Sequence, residues 1–364
     1  CDWSSDVCSS DLEQGISVQT LLASAILADN NINIEMAWRA KIPKLAYRYG
    51  SKAGVYMLGN FHPTLNVLSV DGWHNSQNLA FGDPFCLPIA NYQVNINLPE
   101  TYNIVSTGTT TKVRVEDNGR AIYWSKADKV RDFCLLVTYD YQELSKEIGG
   151  RPIKCYVPSN NKDIAFRIAE QSGEILDYYS SRLGSYPYPD FKVAFVPMQG
   201  FQGMEYSGLI FLQEEFLNPA YDSGKRDFVL AHEIAHQWWY AMVGNDQFCD
   251  PWLDEGLANW CAYKYLQKAK GQNISAPDSY PQGIKLTRRL DEMSSRQDYY
   301  RTAYNGGQAF WFGLEKELGE EVVFNILRSY LAQYKFKIAS SQDLFAVIKK
   351  EAPRDMEAYL QKWL

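Results

Sequence analysis

The chain has 364 residues, of which 46% are hydrophobic, 22% charged and 14% aromatic. That length suits about two domains of ordinary globular composition. A net charge of -7, with the basic residues scattered, argues against nucleic acid as a partner, because binding it needs a basic surface. No apolar run reaches the roughly 18 residues required to cross a bilayer; the most apolar early stretch, residues 18–28, is short and is broken by Gln19, Thr20 and Ser24.

Residues 1–12 stand apart. The string from Asp2 to Leu12 reads as the in-frame translation of a common sequencing-adaptor oligonucleotide, so this leader is set aside as non-native and the native chain is expected to begin in mid-protein near Glu13. With that start out of view, both a cytoplasmic and a membrane-anchored extracellular location stay open. Setting aside Cys1 and Cys8 leaves Cys86, Cys134, Cys155, Cys249 and Cys261. An odd, sparse set is no disulfide framework. Cys249 and Cys261 lack paired CxxC spacing and read as small buried residues.

Residues 13–151 read as a β-rich, sandwich-like N-terminal domain, truncated at its start. Residues 92–98 alternate apolar and polar, as a half-buried strand does. Residues 113–124 place two strands around Asn118-Gly119, a strong hairpin signal. Residues 133–139 form another strand, and Gly149-Gly150 marks a boundary. His62 and His74 lie isolated in this part and read as structural or surface residues.

Residues 152–364 read as α+β. A helix is expected over 163–183, with Ile164, Ile168, Ile175 and Leu176 on its apolar face. Strands follow at 191–196 and 209–212. A long helical pattern then runs from Arg226 to Val243 and is stopped by Gly244-Asn245-Asp246. Further helices are expected over 310–318, 322–334 and 341–350.

The long helix carries the chemistry. His232-Glu233-Ile234-Ala235-His236 puts two imidazoles four residues apart, on one helix face, where they can hold one Zn²⁺ together. Glu233 stands one step round the helix, placed to take a proton from water at the metal. Glu255, after eighteen intervening residues, opens the next helix and is the natural third ligand. Two His and one Glu leave a fourth position open, which marks a catalytic rather than a structural zinc.

With HEIAHQWW, eighteen residues and then EGLA, the chain resembles the gluzincin aminopeptidases, the family of aminopeptidase N and leukotriene hydrolase. The resemblance implies one Zn²⁺ per chain, a thermolysin-like catalytic domain behind the β domain, and peptide substrates with a free N-terminus. The upstream stretch Gly203-Met204-Glu205-Tyr206 is similar to the family's Gly-x-Met-Glu-Asn, with Tyr206 in place of Asn. By resemblance, Glu205 binds the substrate α-amino group, and the backbone of Gly203 and Met204 pairs with the peptide as an added strand. A chain end is a cation near neutral pH, so a carboxylate there selects which bond reaches the metal. Tyr304-Asn305-Gly306-Gly307 resembles the family's Tyr-x-Lys-Gly with Gly306 in place of Lys, and makes Tyr304 the hydroxyl that stabilises the oxyanion. Ala262 stands where the family often has a second-sphere Glu. A ligand histidine is then expected to donate to Asn259, one helical turn after Glu255, or to a backbone carbonyl. Two other classes fit the same signals: an endopeptidase or epoxide hydrolase on this scaffold, and a non-catalytic peptide-binding homologue.

Overall fold

A computed structural model describes residues 12–13, 17–18, 31–69, 72–74, 79–158, 162–269, 271 and 283–364. Residues 1–11 of the leader and most of the apolar stretch 18–28 lie outside the described residues.

The N-terminal part is built from β1 (Tyr49–Lys52), β2 (Val55–Leu58), β3 (Ala90–Pro99), β4 (Asn103–Ser106), β5 (Thr109–Val115), β6 (Arg120–Val130) and β7 (Leu135–Thr138). They form two antiparallel sheets, ordered β1-β2-β7-β4 and β3-β6-β5. The expected hairpin is β5–β6. Its turn needs the left-handed backbone of Gly119 (φ 74°), and Gly119 N donates to Glu116 O at 3.0 Å. In β3 the alternation read from residues 92–98 sends Tyr92, Val94 and Ile96 inward. They share a core with Leu58 and Leu135 of the other sheet and with Ala127, Val130 and Phe133.

A five-stranded mixed sheet follows, ordered β8-β9-β10-β12-β11, from β8 (Tyr141–Ile148), β9 (Arg151–Pro158), β10 (Phe191–Val196), β11 (Gly203–Met204) and β12 (Leu209–Gln213). Strands β9, β10 and β12 run parallel; β8 and β11 are the antiparallel edges. Gly149 and Gly150, both at positive φ, turn β8 into β9. The boundary expected at 151 falls on the first residue of β9, inside this sheet, which already starts at Tyr141.

Every residue of β10 is buried, because the sheet is covered on both faces. Val193 and Phe195 point into a helical core with Ile164, Ile168, Ile175 and Leu176 of α1 (Lys162–Leu183). Ala194 and Val196 point the other way, into a core with Val55, Met57, Val105 and Leu136 of the N-terminal strands. One period-two strand thus joins the two halves of the molecule.

The helical side continues with α2 (Ser223–Ala235), the short strand β13 (Val243–Gly244), α3 (Trp252–Ala269), α4 (Gly307–Leu318), α5 (Glu320–Tyr334), β14 (Lys337–Ile338) and α6 (Ser341–Glu351). Among the described residues, no helix is long and apolar enough to cross a membrane. The five cysteines from Cys86 onward are free thiols, and all but Cys249 are buried.

Candidate active site

Asp222 starts α2 by accepting from Gly224 N at 2.8 Å and Lys225 N at 3.2 Å. The helix ends at Ala235, with His236 as its C-cap, eight residues before the Val243 end expected from the sequence pattern. Beyond it the hydrogen bonds first tighten, Gln237 N to Ile234 O at 3.0 Å and Trp238 N to Ala235 O at 2.9 Å, and then widen, Ala241 N to His236 O and Val243 N to Trp238 O, both at 2.9 Å. The reason is burial. Residues 237–243 are all buried, and a surface helix buries only one stripe, so the chain coils inward instead. Trp238 Nε1 donates to Gly184 O at 2.8 Å. The Gln237 amide holds the segment after β11, donating to Tyr206 O at 3.1 Å and accepting from Gly208 N at 2.8 Å.

This early ending serves the histidines. It brings the Trp239 carbonyl within 3.0 Å of His236 Nδ1, which makes Nδ1 the donor and leaves the Nε2 lone pair free. His236 Nε2 lies 3.0 Å from His232 Nε2. Glu255, in the first turn of α3, brings its Oε2 to 3.2 Å from His232 Nε2 and 3.5 Å from His236 Nε2. That oxygen is buried and has no hydrogen-bond partner, although both imidazoles are close. Two imidazole nitrogens and a carboxylate oxygen thus face one point, an arrangement that a cation would bridge. Zinc–ligand bonds of roughly 2.0–2.2 Å imply tetrahedral edges of roughly 3.3–3.6 Å, close to this triangle. His232, His236 and Glu255 therefore fit a divalent cation.

The surrounding groups are arranged about the trio. Glu233 is buried and its Oε2 has no partner. Burial first, and then the charges of Glu205 and Glu255, push its carboxyl well above the usual range, against the pull of His236. Burial also raises Glu255, but the two imidazoles outweigh it and hold the carboxylate below its ordinary value. Burial lowers His236, yet Glu205 and Glu255 more than reverse this. Asp254 is pushed up to about 7 by burial and then by Glu255 beside it.

Glu205 follows edge strand β11 and is buried, and its charge acts on both Glu233 and His236. Gly203 lies directly against Glu233. Tyr304 donates to Glu255 Oε1 at 2.5 Å and stacks on the His232 ring, 5.9 Å between centroids and 16° between planes. It sits in a π-helical turn, Tyr300–Gly306, immediately before α4, a local winding frequent at functional sites. So His232, His236, Glu255, Glu233, Glu205, Gly203 and Tyr304 converge.

Asn259 does not join them as expected. It donates to Gln308 Oε1 at 3.3 Å, because α3 packs that face against α4. The other expected acceptor, a backbone carbonyl, holds His236: that of Trp239. Tyr299, close to Tyr304 in the sequence, also reaches the site: its hydroxyl lies 3.4 Å from Glu255 Oε1.

Comparison with known proteins agrees with this geometry. The model of the peptidase family M1 domain matches residues 168–363. Aminopeptidase M1-B of Oryza sativa subsp. japonica is 23% identical over 310 residues, covering 75% of this chain and 34% of the relative. Human glutamyl aminopeptidase is 24% identical over 301 residues, covering 75% and 31%. Probable aminopeptidase 1 of Sulfurisphaera tokodaii is 24% identical over 302 residues, covering 75% and 37%. The chain spans about a third of the length of these relatives.

Proposed function

Because the chain belongs to peptidase family M1, a metallopeptidase family of gluzincin aminopeptidases, we propose that it is a zinc-dependent aminopeptidase that removes N-terminal residues from peptides with a free amine. The observation that carries this reading is the triangle of His232, His236 and Glu255, with edges of 3.0–3.5 Å and a buried, unpartnered carboxylate oxygen. The mixed sheet and the helices after it we read as a thermolysin-like catalytic domain, with one Zn²⁺ held by the trio. When bound, the metal supplies Lewis-acid polarisation of the scissile carbonyl and of water.

The chain's own residues do the rest. Glu233, buried beside the trio, takes the proton from the attacking water and returns it to the leaving amine. Tyr304 turns its hydroxyl from Glu255 to the developing oxyanion. Glu205 pairs with the substrate ammonium and so fixes which bond is presented. Strand β11 is a sheet edge, so Gly203 and Met204 can pair with an extended peptide as an added strand.

The test is Glu233→Gln in zinc-loaded protein. Zinc content should be kept while hydrolysis of an aminoacyl anilide falls by about 10²–10⁴-fold. The wild type should spare the same peptide once it is N-acetylated. Turnover that persists in the metal-replete variant removes Glu233 from this role; cleavage of the acetylated peptide turns the reading towards an endopeptidase.

A further inference from the structure

A second group of ligand-type side chains lies apart from the His232–His236–Glu255 trio. His74 Nδ1 is 2.5 Å from Asp246 Oδ2. Cys86 completes the group, with one donor atom from each of the three residues within 4.8 Å of the others. Three distant segments meet there. His74 follows the short strand Gly72–Trp73 and is hung by its N–H on Val67 O at 2.8 Å. Cys86 precedes β3, next to Phe85, whose carbonyl accepts from Gln247 N at 2.9 Å. Asp246 lies in the turn that leads from β13 to α3.

The carboxylate is held for the purpose. Asp246 Oδ1 accepts from Phe248 N at 2.9 Å and from Cys249 N at 3.1 Å. That fixes the plane of the group with Oδ2 towards the imidazole. Cys86 and Asp246 are each 8% exposed, and His74 is half-buried, so the cluster is enclosed rather than a surface association of charges.

We propose that His74, Cys86 and Asp246 form a second metal site, for a zinc-class divalent cation that fastens the N-terminal β region to the turn before α3. Imidazole nitrogen, thiolate sulfur and carboxylate oxygen together suit a borderline-soft ion. Calcium and magnesium, which take oxygen ligands, do not match this set. Loading releases the Cys86 thiol proton to solvent, while the imidazole proton passes from Nδ1 to Nε2 so that Nδ1 can bind the ion, with no change of oxidation state. It also parts the 2.5 Å pair towards the edge of about 3.3 Å that tetrahedral zinc requires. The effect reaches the first site: Gln247, next to Asp246, donates to Asp254 Oδ2 at 2.7 Å, and Asp254 adjoins Glu255. The proposal stands independently of the peptidase reading, since the two sites share no ligand.

Cobalt separates the sites by their colour. The full chain is stripped of metal and loaded with Co²⁺. The His232–His236–Glu255 trio holds no sulfur, so near-ultraviolet sulfur-to-cobalt charge transfer reports only a thiolate-bound ion. The wild type should show that absorption and bind a second equivalent of cobalt. The band should survive in His232→Ala, which loses the other equivalent, and vanish in Cys86→Ser. A folded wild type without the band, or a Cys86→Ser protein that keeps it, overturns the proposal; in the first case the trio is a His–Asp hydrogen bond beside a buried thiol and nothing more. The decisive measurement is on the wild type, so misfolding of a variant cannot rescue the idea.

Discussion

At Gly203 the site has room for a hydrogen and little else. A Cβ there would stand 2.1 Å from Glu233 Oε1, 2.2 Å from Cδ and 2.5 Å from Cγ. Three atoms are involved, so a small swing of the carboxylate does not relieve the clash; the side chain must shift as a whole. Misplacing a reacting group by about 1 Å costs on the order of 10²-fold in rate. Gly203→Ala should therefore lower kcat/KM on an unblocked peptide by at least about that factor, with bound zinc and the melting temperature close to wild type. Rates within a few-fold of wild type would mean that Glu233 finds its position again and that the contact is incidental. The convergence of His232, His236 and Glu255 was legible in the sequence because it depends on one helix period and one neighbouring helix start. The partner of His236 was not, since a backbone carbonyl leaves no residue signature. Asn259 was the nearest polar side chain in sequence, but it faces α4.

The helix carrying Glu255 and the segment carrying Tyr304 touch backbone to backbone. A Cβ on Gly256 would come 2.4 Å from Gly307 Cα, and one on Gly307 would come 2.7 Å from Gly256 Cα. This contact sets the 2.5 Å bond from Tyr304 to Glu255 Oε1, because α3 and α4 can approach so closely only without side chains between them. Gly256→Ala should overpack the crossing, destabilising the fold by about 1–3 kcal/mol and parting Tyr304 from Glu255. A lowered midpoint in urea unfolding, together with lost turnover, is the expected pair of results; an unchanged midpoint would show that the two helices separate freely. Both glycines lie in strings that the family resemblance singled out, yet their role is steric and appears only once the helices are placed against each other. The end of α2 teaches the same lesson. The apolar run after His236 is compatible with a continuing helix, and only the surrounding core, which buries every residue from Gln237 to Val243, ends it early.

At the scale of the whole molecule, a buried pair joins the β-rich part to the site. Arg131 donates to Leu87 O at 2.5 Å on one side and to Tyr240 O at 2.5 Å and Lys337 O at 3.1 Å on the other. Neighbouring Asp132 accepts from Tyr240 Oη at 2.6 Å and from Ser207 N at 3.1 Å. No local pattern announced this knot, because its partners are scattered along the chain. Burial, ahead of every other influence, raises the Asp132 carboxyl from 3.8 to about 6, against the pull of the Tyr240 and Ser207 hydrogen bonds. For an acid, a folded value above the unfolded one means that the native state prefers the proton. The stabilisation is then complete below pH 3.8 and is lost as the pH rises through about 6. A shift of that size amounts to about 3 kcal/mol. Asp132→Asn holds the position neutral and keeps an acceptor for Ser207 N. Its unfolding free energy relative to wild type should therefore rise between about pH 4 and pH 6.5 and level off above that. Paired denaturant titrations across this range would show it. A difference that stays flat with pH would mean that Asp132 gives up its proton as readily inside the fold as outside, and that the Arg131 charge beside it offsets the cost of burial.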